Sequence, residues 1–239
     1  MNTKYNSKNI LNKESLILLI LLYSSLILGF VFNEDSNGGA YLDYINQNLI
    51  VDQFKENFTQ SLLNYDQFTT RHSPVLISLL SLLKKIHINE DIIRILHTHL
   101  CLILPLTFLL ILKNKFSFTD ENKKNFYLLV GLIFLSPTYR SLSIWPDSRL
   151  LGLSFFIISV LFFIKFEKYK LIKYVYLNIL FYTSASYLSP NFSVFSIFFV
   201  YKYLKYFGIS KKLFEIIFIN TLLSLPSIYY VFYLDINFL

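Results

Sequence analysis

Residues 16–32 form an almost unbroken apolar run, and six further runs follow at 93–112, 126–144, 150–164, 174–188, 192–206 and 213–234. Runs of about this length are what a helix needs to cross a hydrocarbon core of roughly 30 Å, and they restrict the chain to an all-α membrane protein. Composition agrees: 54% of the 239 residues are hydrophobic, 15% are charged, and the mean hydropathy is +0.50, far above that of an ordinary soluble domain. The net charge of +7 does not point to nucleic acid, because the lysines stand in short groups between apolar runs. At such positions positive charge sets membrane orientation. Cys101 is the one cysteine, which removes an internal disulfide and a cysteine-based metal site.

One polar stretch interrupts this pattern. Residues 33–92 lie between the first two runs, and most other connections are far shorter. A polar segment of this length is too long to be a turn and reads as the functional part. Within it Tyr41, Tyr44, Ile45 and Leu49 recur at helical spacing and predict a helix lying in the interface with that face down. A second short helix is expected over 52–63. Residues 74–83 are apolar, but ten residues are too few to span, so 74–86 is assigned as a re-entrant or interfacial helix.

The expected architecture is therefore a single multi-pass membrane domain over 1–239, with about seven transmembrane helices and a long first outer loop, 33–92, carrying short interfacial helices. Charge supports the count. With the amino terminus in the cytoplasm, Lys4, Lys8, Lys13, Lys113, Lys115, Lys123 and Lys124 fall inside, as do the lysines at 165–173 and 202–212. Outside fall Glu34, Asp35, Asp43, Asp52, Glu56, Asp66, Asp147 and Asp235. Counting 74–83 as a span would invert the later loops and expose three lysine groups. Residues 29–32, Gly-Phe-Val-Phe, present bulky groups where a signal cleavage site needs small ones, so the first run is read as an uncleaved anchor.

Candidate chemistry gathers on the outer face. Glu34 and Asp35 stand just beyond the first run, where a carboxylate at a low-dielectric boundary suits a general base. Arg140 and Arg149 flank Trp145-Pro146-Asp147, and two guanidinium groups beside a membrane suit a phosphate. Asp147 is also placed as the N-cap of the next helix, and Trp145 as an interfacial anchor. Arg71 and His72 precede Pro74, and Arg94 opens the second run. His97 and His99 are two apart on a helix and point apart, so no metal site is assigned.

In order and sidedness these residues resemble the GT-C superfamily, integral-membrane glycosyltransferases that use polyprenyl-phosphate sugars. The nearest pattern is that of the protein O-mannosyltransferases and lipid A aminoarabinose transferases. The family's loop acid resembles Glu34-Asp35, its His-Pro-Pro-Leu stretch resembles His72-Ser73-Pro74-Val75, its arginine resembles Arg94, and its second-turn aspartate resembles Asp147. Ser73 replaces the first proline of the pair, and Asp35 stands six residues before Tyr41, so the choice among Glu34, Asp35 and Asp43 stays open. The resemblance covers residues 16–188 and implies sugar transfer on the extracytoplasmic face of a bacterial inner membrane. Glu34 or Asp35 would be the base, and Asp43, Arg71, His72, Arg94, Arg140, Asp147 and Arg149 would bind substrate. The implied partners are a polyprenyl-phosphate-linked sugar, membrane lipid, a glycan, lipid or protein acceptor, and a membrane partner subunit. No cofactor is implied, and a divalent metal is left open.

Overall fold

The computed structural model describes residues 13–36, 38–70, 72–116 and 119–236, and among these every regular element is helical. Lys4, Lys8 and Arg71, named above for orientation and binding, lie outside the described residues.

Helix α1 (Lys13–Val31) ends where Asn33 takes a left-handed backbone conformation, φ 53°. The Glu34 N–H then bonds the Gly29 carbonyl (2.8 Å) and the Asn33 N–H bonds that of Phe30 (3.1 Å), the paired bonds that close a helix C-terminus. Helix α2 (Ala40–Glu56) follows, and Asn57 both stops it and caps α3 (Phe58–Leu63) by accepting from the Gln60 N–H. The break between the two predicted loop helices therefore falls at Asn57 and not near residue 50. The inward face of α2 carries Ala40, Tyr44, Gln47, Val51 and Phe54. Of the predicted apolar face only Tyr44 is buried, and Tyr41, Ile45 and Leu49 remain exposed.

A single turn of 3-10 helix at Tyr65–Phe68 leads to α4 (Pro74–Lys85). Ser73 caps this helix and Pro74 opens it, the position where a missing N–H costs nothing. Twelve residues rise only about 18 Å, too little to cross. Leu76, Ile77 and Leu80 of α4 are buried, and the helix packs on α2.

Helices α5 (Glu90–Cys101) and α6 (Ile103–Lys115) run on through Leu102 as one apolar element of 26 residues. The run 126–144 is not the single straight helix it resembles. It divides into α7 (Asp120–Leu135) and α8 (Pro137–Ile144), bent by 62°. Pro137 forces this, because the residue before a proline is pushed out of helical conformation, and Ser136 sits at φ −66°, ψ 121°. Helix α9 (Ser148–Tyr169) is followed by α10 (Ile172–Leu188), a 3-10 turn at Pro190–Val194, α11 (Phe195–Phe207) and α12 (Lys211–Ile228), which continues to Tyr233.

Among the described residues three helices are long and apolar enough to cross a membrane, Glu90–Lys115, Ser148–Tyr169 and Lys211–Tyr233, and the bent α7–α8 pair makes a fourth if it counts as one span. Many of their apolar side chains face outward, among them Leu106, Leu110, Leu132, Phe214 and Phe218. In water such a surface would be unstable, whereas lipid accepts it. The protein is an all-helical membrane protein.

Helix α1 packs on α7, α7 on α6, α6 on α9, α9 on α10, and α10 on α12. One core joins α1, α2 and α4 to α8 and α9 through Leu26, Val51, Phe54, Ile77, Ile144 and Leu150. A second joins α9 to α12 through Phe163, Phe166, Val175, Phe199 and Tyr203. The loop helices α2 and α4 and the short α8 close one end of the bundle, where most of the candidate residues lie.

Candidate functional site

Asp147 is fixed by the start of α9. Its carboxylate accepts from the N–H groups of Arg149 (2.7 Å) and Leu150 (3.3 Å), so the expected capping role is met. The same carboxylate takes the Arg149 side chain, with Nε to Oδ2 at 3.0 Å and Nη2 to Oδ2 at 2.7 Å. Arg149 Nη2 also donates to Asp43 Oδ2 on α2 at 2.9 Å. Asp147 is buried, while Asp43 and Arg149 keep 44% and 49% of their side-chain exposure, which leaves one edge of the cluster open to a ligand. His72 lies within electrostatic reach of all three. Burial holds its imidazole below the usual histidine range, Asp147 and Asp43 pull it up, and Arg149 pushes it down. Asp43, His72, Asp147 and Arg149 thus form one cluster.

Arg149 also lines a cavity of about 650 Å³ between α6, α7 and α9. Leu104, Phe108, Leu132, Leu153 and Ile157 make its walls apolar, and Ser136, Ser189 and Asn191 stand among the few polar groups that it has. An apolar cleft with one guanidinium on its lining has the chemistry to hold an alkyl chain and a single anionic group.

The remaining candidates are placed elsewhere. Glu34 is held by Arg140, Nε to Oε1 at 2.7 Å and Nη2 to Oε2 at 2.5 Å, and Arg140 also donates to the hydroxyl and carbonyl of Ser25 at 3.1 Å each. These bonds hold the Glu34 carboxyl below the usual carboxylate range, against the opposing effect of burial. Gly29 makes room for the pair. A Cβ there would stand 2.9 Å from Arg140 Nη2 and closer still to Glu34 Oε2.

Asp35 accepts from the N–H groups of Gly39 (3.0 Å), Ala40 (3.2 Å) and Tyr41 (3.4 Å), so its oxygens serve the start of α2. Arg94 is buried, lies 3.8 Å from the ring centre of Trp145 and 5.0 Å from that of Phe30, and donates to Asn33 Oδ1 at 2.8 Å. That guanidinium is sandwiched between rings and not displayed to a ligand. Trp145 is only 5% exposed and donates to the Glu34 carbonyl at 3.1 Å, so the interfacial-anchor reading gives way to a core role.

His97 meets the Leu142 carbonyl (3.0 Å) while His99 meets Tyr23 (2.9 Å), two directions from one helix, as their spacing predicts. Ser25, Gly29 and Asn33 support the site residues but carry no signal that separates them from ordinary positions of an apolar helix and its exit. Ser189 and Asn191 carry no signal in the sequence that marks them as a cavity wall. No protein-family model, curated protein or solved structure matches this chain.

Proposed function

We propose that this protein is a GT-C-like glycosyltransferase that moves a sugar from a polyprenyl-phosphate donor to a hydroxyl acceptor on the extracytoplasmic face of a bacterial inner membrane. Seven crossings with the amino terminus in the cytoplasm belong to this proposal. The observation that carries it is Arg149, which joins the acidic cluster to the apolar cavity. The polyprenyl chain fits the Leu104, Leu132 and Ile157 walls, and the sugar-phosphate diester, with its one negative charge, fits the single guanidinium.

Among the three acids the proposal assigns the base to Asp43. Both oxygens of Glu34 are held by Arg140, and those of Asp35 by main-chain N–H groups, whereas Asp43 meets Arg149 through Oδ2 alone. A donor phosphate taken up by Arg149 would compete with Asp43 for Nη2 and release the carboxylate beside the reacting sugar. Asp43 then accepts the proton of the acceptor hydroxyl, whose oxygen attacks the anomeric carbon. The bond from that carbon to the phosphate oxygen breaks, the configuration inverts, and the lipid phosphate leaves with its charge met by Arg149. Asp147 holds Arg149 in place throughout. His72, kept neutral by burial, offers the sugar a donor or an acceptor without adding charge.

The test is transfer of labelled sugar from a mixture of polyprenyl-phosphate sugars to membrane lipids and proteins. The intact protein should transfer, and Asp43→Asn should fall by about 100-fold or more, the usual contribution of a general base. Activity retained in Asp43→Asn but lost in Asp35→Asn would overturn the base assignment, and no transfer by any form would overturn the enzyme.

A second reading is a non-catalytic GT-C-like subunit of a membrane complex, in which the outward face of α12, whose apolar stretch is only 6% buried, packs on a partner instead of lipid. Under that reading Asp43→Asn leaves the partner's activity unchanged.

A further inference from the structure

The turn at Pro190–Val194 has a cavity on each side. Ser189 and Asn191 line the one that holds Arg149, while Pro190 and Ser193 line a second of about 450 Å³, walled by α4, α10 and α12. This second cavity differs in chemistry. Ten of its lining residues carry hydroxyls, and none is charged.

Most of those hydroxyls are oriented in a common sense. Ser186, Ser224 and Ser227 donate to carbonyls three or four residues back in their own helices, at 3.1, 2.8 and 2.6 Å. Tyr182 and Tyr187 donate to the carbonyls of Ser193 and Leu223, at 2.7 Å each. Seven of the ten, Ser73 and Thr183 among them, give their hydrogen to a main-chain carbonyl and retain acceptor lone pairs, while Ser78, Ser193 and Tyr230 keep a donor as well. A wall dominated by acceptors and lacking any cation rejects a phosphate or carboxylate, whose charge nothing in the lining compensates. It also rejects an ammonium, because no carboxylate lines the cavity to compensate a charge brought out of water. A hydroxyl-rich headgroup satisfies such a wall, since it supplies the donors and carries no charge. The tyrosine rings and Leu62, Pro74, Val75 and Val231 leave apolar surface for an alkyl segment.

We propose that this cavity binds an uncharged amphiphile with a polyol headgroup, of the kind presented by a neutral glycolipid. The inference rests on the cavity alone and holds whether or not the transfer reading does.

Three ligands with one chain and different heads test it: n-octyl glucoside, n-octyl phosphate and n-octylammonium. They are titrated by ligand-observed NMR onto the full-length protein in sugar-free amphipol. The glucoside should bind at least ten-fold more tightly than either charged ligand. Ser186→Phe, which fills the cavity, should weaken it at least ten-fold, and Arg149→Gln, in the other cavity, should leave it unchanged. Equal or tighter binding of the phosphate or the ammonium overturns the proposal. So does glucoside binding that survives Ser186→Phe in protein with an unaltered melting temperature. Should Ser186→Phe not fold, a photoreactive octyl glucoside on the unaltered protein decides: label on peptides 182–193 and 224–231 supports the site, and label elsewhere refutes it.

Discussion

Two adjacent acids, Glu34 and Asp35, read alike in the sequence and do different work in the fold. Glu34 joins α1 to α8 through Arg140, and Asp35 holds the first turn of α2. Arg140 draws the Glu34 pKa below its ordinary value near 4.5, so the stability from this pair is fully present above pH 4.5 and is lost as the pH falls toward the folded-state value. Denaturation in detergent as a function of pH should show the loss below about pH 4.5, and Glu34→Gln should remove that step. The same substitution should cost about 2 kcal/mol at pH 7, less than a fully buried pair because the Glu34 side chain is 23% exposed. Gly29→Ala should cost a similar amount, about 2 kcal/mol, because the new methyl enters the space of the ion pair. An unchanged melting temperature in Gly29→Ala would show that the pair tolerates displacement. None of this was visible beforehand, since Glu34 and Arg140 stand 106 residues apart and leave no local pattern.

At the scale of elements, caps and prolines were the legible part. Ser73-Pro74 opens α4 and Asp147 opens α9, both as local chemistry dictates. The bend at Ser136-Pro137 carries a local signal too, but an apolar run on both sides hides it, so 126–144 reads as one straight span. Which stripe of α2 the other helices cover was hidden for a related reason. Tyr41, Ile45 and Leu49 are as apolar as the residues that turn inward, and only the partner helices decide which stripe is covered. Asp147→Ala should destabilise α9 by about 1 kcal/mol through the lost cap. It also removes the anchor of Arg149, so any binding at the cavity should weaken with it. Asp147→Asn, which keeps a capping oxygen, should restore most of the stability but not the hold on Arg149. Binding of a lipid phosphate to the two variants, measured beside their melting temperatures, separates the two roles.

At the scale of the molecule, hydropathy announced an all-helical membrane protein, and among the described residues three helices are long and apolar enough to cross, with the bent pair a fourth if it counts as one span. The count of seven depends on helices such as α11, whose 13 residues rise about 20 Å against a core of roughly 30 Å. Cysteine accessibility in a Cys101→Ala background tests the topology. Cysteines at 124 and 205 should react from one side of the membrane and a cysteine at 52 from the other. Labelling of 52 and 124 from one side would contradict the seven-span arrangement. The cavity beside Arg149 was not legible, because its walls come from several helices and a turn far apart in the chain, whose apolar residues look alike in sequence.

The most direct measurement is the affinity of the reconstituted protein for polyprenyl phosphate, compared with Arg149→Gln and with Leu132→Trp, which fills the apolar wall. Donor binding at this cavity predicts that both substitutions weaken the affinity at least ten-fold, the first through the phosphate and the second through the chain. Equal affinity in all three proteins would place the lipid elsewhere and contradict the proposed site.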